Sequence, residues 1–266
     1  MSEEFYIGYL KNAPGKVSQF IMGVVVAILL ILMGVAWLLA YGQKGFIAST
    51  YEYYRETEIS GVLIKNPFPA IQVHLANSNE GELLVQTIPI VQFGKIGGSA
   101  LGNHLEGAWI TARGFLIYYD GKALMEISDP GNIAKTTGKA QNRASIVNPR
   151  YSSREATFVG EILDAKCFFG VMKPGHGKPH RSCAIRCISG GIPAVLHTTG
   201  ADGLPSYKIV LTTSENRKQL LQFVGETVTV SGTEGKFYDW QLLKLSAVEP
   251  LVQAENQLSA TLTLCH

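Results

Sequence analysis

Leu105-Glu106-Gly107-Ala108-Trp109-Ile110-Thr111-Ala112-Arg113-Gly114 and Phe223-Val224-Gly225-Glu226-Thr227-Val228-Thr229-Val230-Ser231-Gly232 read as two copies of one unit. Each holds two glycines seven residues apart around an alternating run, the period of a half-buried strand. Each is followed at the same distance by another short strand, Leu124-Met125-Glu126-Ile127-Ser128 in the first copy and Leu242-Leu243-Lys244-Leu245-Ser246 in the second. Each is preceded by an opening strand around a glycine, Ile59-Ser60-Gly61-Val62-Leu63-Ile64 and Phe158-Val159-Gly160-Glu161-Ile162-Leu163. A glycine inside a strand marks a bulge or a sharp bend. The opening glycines are closer together in the chain than the later blocks are, so the second copy has gained residues after its first strand.

The order is strand, strand, a helix-like stretch before hydrophobic-x-Gly, then two more strands. It resembles the OB-fold, a small five-stranded barrel that hides its edges. The segment Glu215–Phe223 fits the short helix of such a barrel. A generic pair of all-β domains is the other reading. The expected fold class is an all-β soluble part, tandem OB-like five-stranded barrels, with one N-terminal transmembrane helix. The boundaries expected are an N-terminal segment 1–19, a transmembrane helix 20–41, a first OB-like domain 57–129 and a linker 130–155. A second OB-like domain 156–250, with a Cys/His loop 164–193, and a tail 251–266 complete the chain.

The membrane segment is the run Phe20–Tyr41, FIMGVVVAILLILMGVAWLLAY, which has no charge. At about 1.5 Å per residue it spans roughly 33 Å, enough for a hydrocarbon core of about 30 Å. Trp37 and Tyr41 stand at its end, where amphipathic rings prefer the interface. The run is too long for the apolar region of a cleaved signal peptide, and Leu38 and Ala40 make a poor cleavage site. Lys11 and Lys16 before the span, against Lys44 after it, favour a cytoplasmic N-terminus and barrels outside the cytoplasm.

Charge and composition exclude several classes. Lys plus Arg is 23 and Asp plus Glu is 21, a net +2 that gives no reason to expect nucleic acid as partner. With 46% hydrophobic and 17% charged residues, the chain is no solvating disordered segment. Four cysteines are too few for a disulfide scaffold. No complete catalytic constellation appears, so the expectation is a non-enzyme. His74, His104 and His197 read as isolated histidines, Lys95-Ile96-Gly97-Gly98-Ser99 as a turn, and Tyr51, Tyr53 and Tyr54 as an aromatic cluster at the membrane interface.

The residues gained by the second copy hold three of the four cysteines. Cys167 ends the opening strand, Cys183 and Cys187 stand four apart, and His176, His180 and Met172 lie between. On one helical turn Cys183 and Cys187 share a face, which His180 can join. Cys167, His176, His180, Cys183 and Cys187 are therefore candidate metal ligands, sufficient for Zn²⁺ or Cu⁺, with Met172 a further soft donor. The spacing matches no standard zinc knuckle, haem or iron–sulfur pattern. A disulfide from Cys167 to Cys183 or Cys187 is the favoured reading, worth about 3 kcal/mol in the chain-entropy picture, and it requires no cofactor. Reduced thiols without metal are the third reading.

The run Gly160-Glu161-Ile162-Leu163-Asp164, Cys167, then His180-x-x-Cys183-Ala184-x-x-Cys187 and Gly191-x-Pro193 is similar to a bacterial family of exported or membrane-anchored OB-like domains. The N-terminal Phe5-Tyr6-Ile7-Gly8-Tyr9-Leu10 before a single span resembles accessory subunits of bacterial membrane redox complexes. Together these resemblances imply a single-pass protein of the bacterial cytoplasmic membrane. It would be an accessory or assembly subunit of a respiratory-type electron-transfer complex, with the lipid bilayer and integral membrane subunits as partners. The alternative is an extracytoplasmic copper- or zinc-binding protein.

Overall fold

The computed structural model describes residues 14–42, 48–75, 84–136, 148–200 and 203–251. The apolar run is one helix, α1 (Gly15–Gly42), long and apolar enough to cross a membrane. It begins one turn earlier than the charge-free run, because Pro14 is compatible with a helix start and its carbonyl accepts from the Ser18 amide at 2.9 Å. The Trp37 and Tyr41 rings stack at 5.5 Å.

The β part begins at Ala48. In it, β1 (Ser49–Ile64) pairs antiparallel with β2 (Ala70–Leu75), and β2 with β3 (Leu84–Gln92). Strand β4 (Trp109–Tyr119) makes a hairpin with β5 (Lys122–Ile127). β3 runs parallel to β5, and β4 returns to β1, closing a five-stranded barrel. β6 (Ile133–Lys135) covers the part of β4 that β5 does not reach.

The second barrel repeats the scheme with β7 (Arg150–Asp164), β8 (Ala194–Thr199), β9 (Pro205–Leu211), β10 (Thr227–Phe237) and β11 (Trp240–Pro250). The closed order is β10-β11-β9-β8-β7, again with one parallel pair, β9 with β11. Both barrels thus have the OB-like order of strands one, two, three, five, four and back to one. Each encloses its own apolar core, Leu63, Ile71, Ile90, Ile110 and Met125 in the first and Ile162, Leu196, Val230, Leu243 and Val248 in the second. The short helix of the second barrel, α3 (Ser214–Gln222), starts on a capping box in which Thr213 and Asn216 exchange hydrogen bonds. The first barrel has only a 3-10 turn there, Asn103–Leu105.

The internal repeat is visible atom by atom. A Cβ on Gly61 would sit 2.3 Å from the Gln72 carbonyl oxygen, and one on Gly160 2.3 Å from that of His197. Gly114 and Gly232 face the Glu126 and Lys244 carbonyls at the same 2.3 Å. No side chain fits at any of the four, which is why the glycine pattern survives in both copies. The β4–β5 and β10–β11 hairpins turn on matched left-handed residues, Asp120 (φ 49°) and Tyr238 (φ 50°).

Three boundaries differ from the sequence reading. The first barrel starts at Ser49 rather than 57, because Tyr51, Tyr53 and Tyr54 belong to β1. Tyr51 and Tyr53 pack on Phe115. The expected linker 130–155 is shorter at both ends: Asp129 caps a turn at Pro130–Asn132 that feeds β6, and β7 is already paired at Arg150. Its polar composition hid these strands, since both lie on an exposed side of a barrel.

The barrels are joined by a packed seam. Trp240 is buried, stacks on Phe169 at 5.8 Å and 10°, and donates its indole N–H to the Thr87 carbonyl at 2.6 Å. Phe68 meets Phe237 and Trp240 edge-on. Lys166 forms a buried ion pair with Glu126 at 3.1 Å and donates to the Gln92 and Gly94 carbonyls. The Tyr51 hydroxyl donates to the other Glu126 oxygen at 2.8 Å, and burial with that hydrogen bond pushes its pKa up.

Candidate metal centre at the seam between the barrels

Residues 165–193 connect β7 to β8, where the first barrel needs only 65–69 to connect β1 to β2. Asp164, the last residue of β7, is buried and organises the start of this connection. Its Oδ1 accepts the Cys167 amide at 2.9 Å and its Oδ2 meets His180 Nε2 at 2.7 Å. A π-helical turn, Cys167–Val171, drives Phe168 and Phe169 into an aromatic cluster with Tyr119, Tyr207 and Trp240. The chain returns through a 3-10 turn at Lys178–His180 into α2 (Arg181–Ser189).

Helix α2 carries Cys183 and Cys187 on successive turns, and Cys167 lies across them. Cys167 and Cys183 Sγ are 4.0 Å apart. The ligand atoms of Cys167, His180 and Cys183 all lie within 4.8 Å of one another, and so do those of Asp164, Cys167 and Cys187. The two groups share Cys167. Thiolates with imidazole and carboxylate form a donor set that can hold a borderline or soft cation. Asp164 supplies what a metal-ligating histidine ordinarily has, a carboxylate on its other ring nitrogen.

The favoured disulfide is not what the structure contains: Cys167, Cys183 and Cys187 are free thiols. Three sulfurs converge instead of two, and a hydrogen bond from the Cys167 thiol lowers the Cys187 pKa while raising its own. Burial raises Cys167 further, and the nearby Lys95 charge helps hold Cys187 down. Cys265 lies outside the described residues.

Of the five predicted ligands, four come together. His176 is exposed and belongs to neither group. Its charge instead acts on His197, whose pKa is lowered mainly by burial and further by His176. Met172 does approach the site, with Sδ 3.1 Å from His180 Nδ1.

Sequence reasoning missed Lys95 and Asp164. Lys95 comes from the first barrel and donates from Nζ to Cys183 Sγ at 2.7 Å, with Cys187 Sγ at 3.8 Å. That hydrogen bond raises the Lys95 pKa against a smaller desolvation effect. Two glycine pairs bring it there: the Gly97 amide donates to the Gly190 carbonyl at 2.8 Å, just past the end of α2. A Cβ on Gly97 would lie 2.1 Å from the Gly191 oxygen, and one on Gly190 1.8 Å from the Lys95 oxygen. The signal available in sequence was the pair of adjacent double glycines, Gly97-Gly98 and Gly190-Gly191.

No family model matches the chain, and no curated protein matches it either. Among solved structures it is similar to a deletion mutant of the single-stranded DNA binding protein from Thermus aquaticus. The identity is 11%, the match covers 74% of this chain and 94% of that one, and the TM-score is 0.23, too low to carry an argument.

Proposed function

We propose that this protein is a membrane-tethered cation-binding module, holding Zn²⁺ or Cu⁺ between Cys167, Cys183 and His180, with Asp164 and Cys187 adjoining. The observation that supports it is the convergence of three thiols and a buried imidazole of one insert with a buried carboxylate at the end of β7. When bound, the cation would supply a fixed positive centre that the thiolates require. Asp164 orients the His180 ring, and the Lys95 ammonium offsets the surplus thiolate charge from the first barrel's side. The distribution of Lys11, Lys16 and Lys44 supports a cytoplasmic N-terminus in a bacterial inner membrane, with the barrels on the opposite side.

The test is equilibrium metal binding to the reduced full chain in detergent. One equivalent of Zn²⁺ or Cu⁺ is expected to bind, and Cys183→Ser to abolish it. Retention of the metal by the Cys167→Ser, Cys183→Ser double variant would overturn the reading.

A second reading is an accessory subunit of a membrane electron-transfer complex. It draws on the N-terminal resemblance and on Tyr54, 97% exposed beside the half-exposed Tyr53, an aromatic pair suited to a partner chain. Mild detergent extraction tests it. Stoichiometric cytochrome or iron–sulfur chains should co-purify with wild type and diminish with Tyr54→Ser, and recovery of the chain alone would count against it.

A further inference from the structure

His180 and Asp164 side chains are both 0% exposed, so their hydrogen bonds can be accounted for completely. Asp164 Oδ2 lies 2.7 Å from His180 Nε2, so that ring nitrogen is engaged by the carboxylate. The other ring nitrogen, Nδ1, has a different neighbour. That neighbour is Met172 Sδ at 3.1 Å, a thioether with lone pairs and no hydrogen to give. An imidazole nitrogen and a thioether sulfur, both able to give a lone pair to a soft cation, are therefore in contact in the pocket wall.

The same imidazole has a ring nitrogen within 4.8 Å of the sulfurs of Cys167 and Cys183. The positive centre that suits a thioether, an imidazole nitrogen and thiolates together is a soft monovalent ion, because sulfur donors of both kinds select Cu⁺ whereas hard and borderline cations gain little from a thioether. Met172 is 42% exposed, so its sulfur also offers the first donor that an arriving ion meets from solvent.

From this contact, and resting on the cation-binding reading above, we infer that the site is selective for Cu⁺, with Met172 Sδ and His180 Nδ1 as a ligand pair that adds to the thiolates. Met172 is then the residue that separates Cu⁺ from Zn²⁺. The thiolates alone serve either ion.

The experiment is a competition titration of the reduced full chain in detergent, with Cu⁺ against a chromophoric Cu⁺ chelator and, separately, Zn²⁺ against a Zn²⁺ indicator. Met172→Leu conserves volume at a partly exposed position and keeps the fold. It is expected to weaken Cu⁺ by at least on the order of tenfold, since removal of even an outer-shell partner costs that much, and to leave Zn²⁺ unchanged. Unchanged Cu⁺ affinity in Met172→Leu would overturn the inference. Equal weakening of Zn²⁺ would overturn it as well, since Met172 would then serve packing alone. Failure of the underlying site looks different: wild type binds neither ion, or Cys183→Ser retains both.

Discussion

The two barrels share their strand order, their four close-packed glycines and the left-handed turn between the fourth and fifth strands, but they differ in one connection. The first barrel passes from β1 to β2 through residues 65–69 and the second from β7 to β8 through 165–193. The candidate metal-binding groups of the described residues lie in or against that longer connection: the three thiols, the Asp164–His180 pair, Met172 and, from the other barrel, Lys95. The comparison teaches that a closed barrel tolerates a large change at a connection while its ladders stay intact, and that the connection chosen is the one facing the neighbouring copy. Among the described residues, the first barrel contributes no ligand atom to the cysteine groups. It supplies a cation, a buried acid and a glycine turn against which the insert can pack.

The seam is where the comparison can be broken most forcefully. Trp240 opens β11 at the place where Lys122 opens β5, so one copy presents an indole and the other an ammonium. Trp240→Ala removes a buried ring and its hydrogen bond to Thr87, and is expected to cost about 3–5 kcal/mol in denaturant unfolding of the full chain. Lys166→Met leaves Glu126 buried without its cation and is expected to cost a similar amount, about 3–5 kcal/mol. The double replacement Lys166→Met, Glu126→Leu should recover most of that loss in the same assay.

A smaller effect sharpens the role of close approach. Gly97→Ala forces a Cβ against the Gly191 carbonyl and is expected to cost about 1–3 kcal/mol while withdrawing Lys95 from the sulfurs. Alkylation kinetics of Cys183 should change with it, since the ammonium that holds its sulfur has moved. Reactivity equal to wild type would show that Lys95 has no hold on that thiol.

The smallest effect concerns pH. Burial, aided by His176, lowers the His197 pKa in the folded chain below its usual value. The unfolded chain therefore binds more protons in the window between the lowered value and about 6.5. Stability from this group is complete above about 6.5 and falls as pH drops through that window. His197→Gln should flatten the profile there, measured as denaturation midpoint against pH, and an unchanged slope would remove His197 as its source.

The barrels, the apolar helix and the position of the insert were legible in the sequence because each depends on a local period or a glycine that cannot be replaced. The strand ends were less legible. Tyr51 and Tyr53 gave no sign of belonging to a strand because nothing local reveals that Glu126 and Phe115 await them. Four of the five candidate ligands fall in the two groups that share Cys167, since α2 sets Cys183 and Cys187 by helical spacing and His180 stands at its N-cap. His176 does not, because the Gly-Pro-rich stretch around it has no period. Lys95 was out of reach, as its partners lie in the other barrel. Asp164 stood in plain view, but a carboxylate at a strand end reads as a surface residue until its two buried hydrogen bonds are seen. Spacing could not separate a bridge from a thiol cluster, because both bring Cys167 to α2.

The most direct test is the intact mass, under native conditions, of the chain purified from its own membranes with thiols protected. The account predicts one bound cation per chain, lost in Cys183→Ser and restored to the wild-type protein by Cu⁺ after removal. A chain that carries no cation, and that still takes up none after full reduction and addition of Cu⁺ or Zn²⁺, would contradict it.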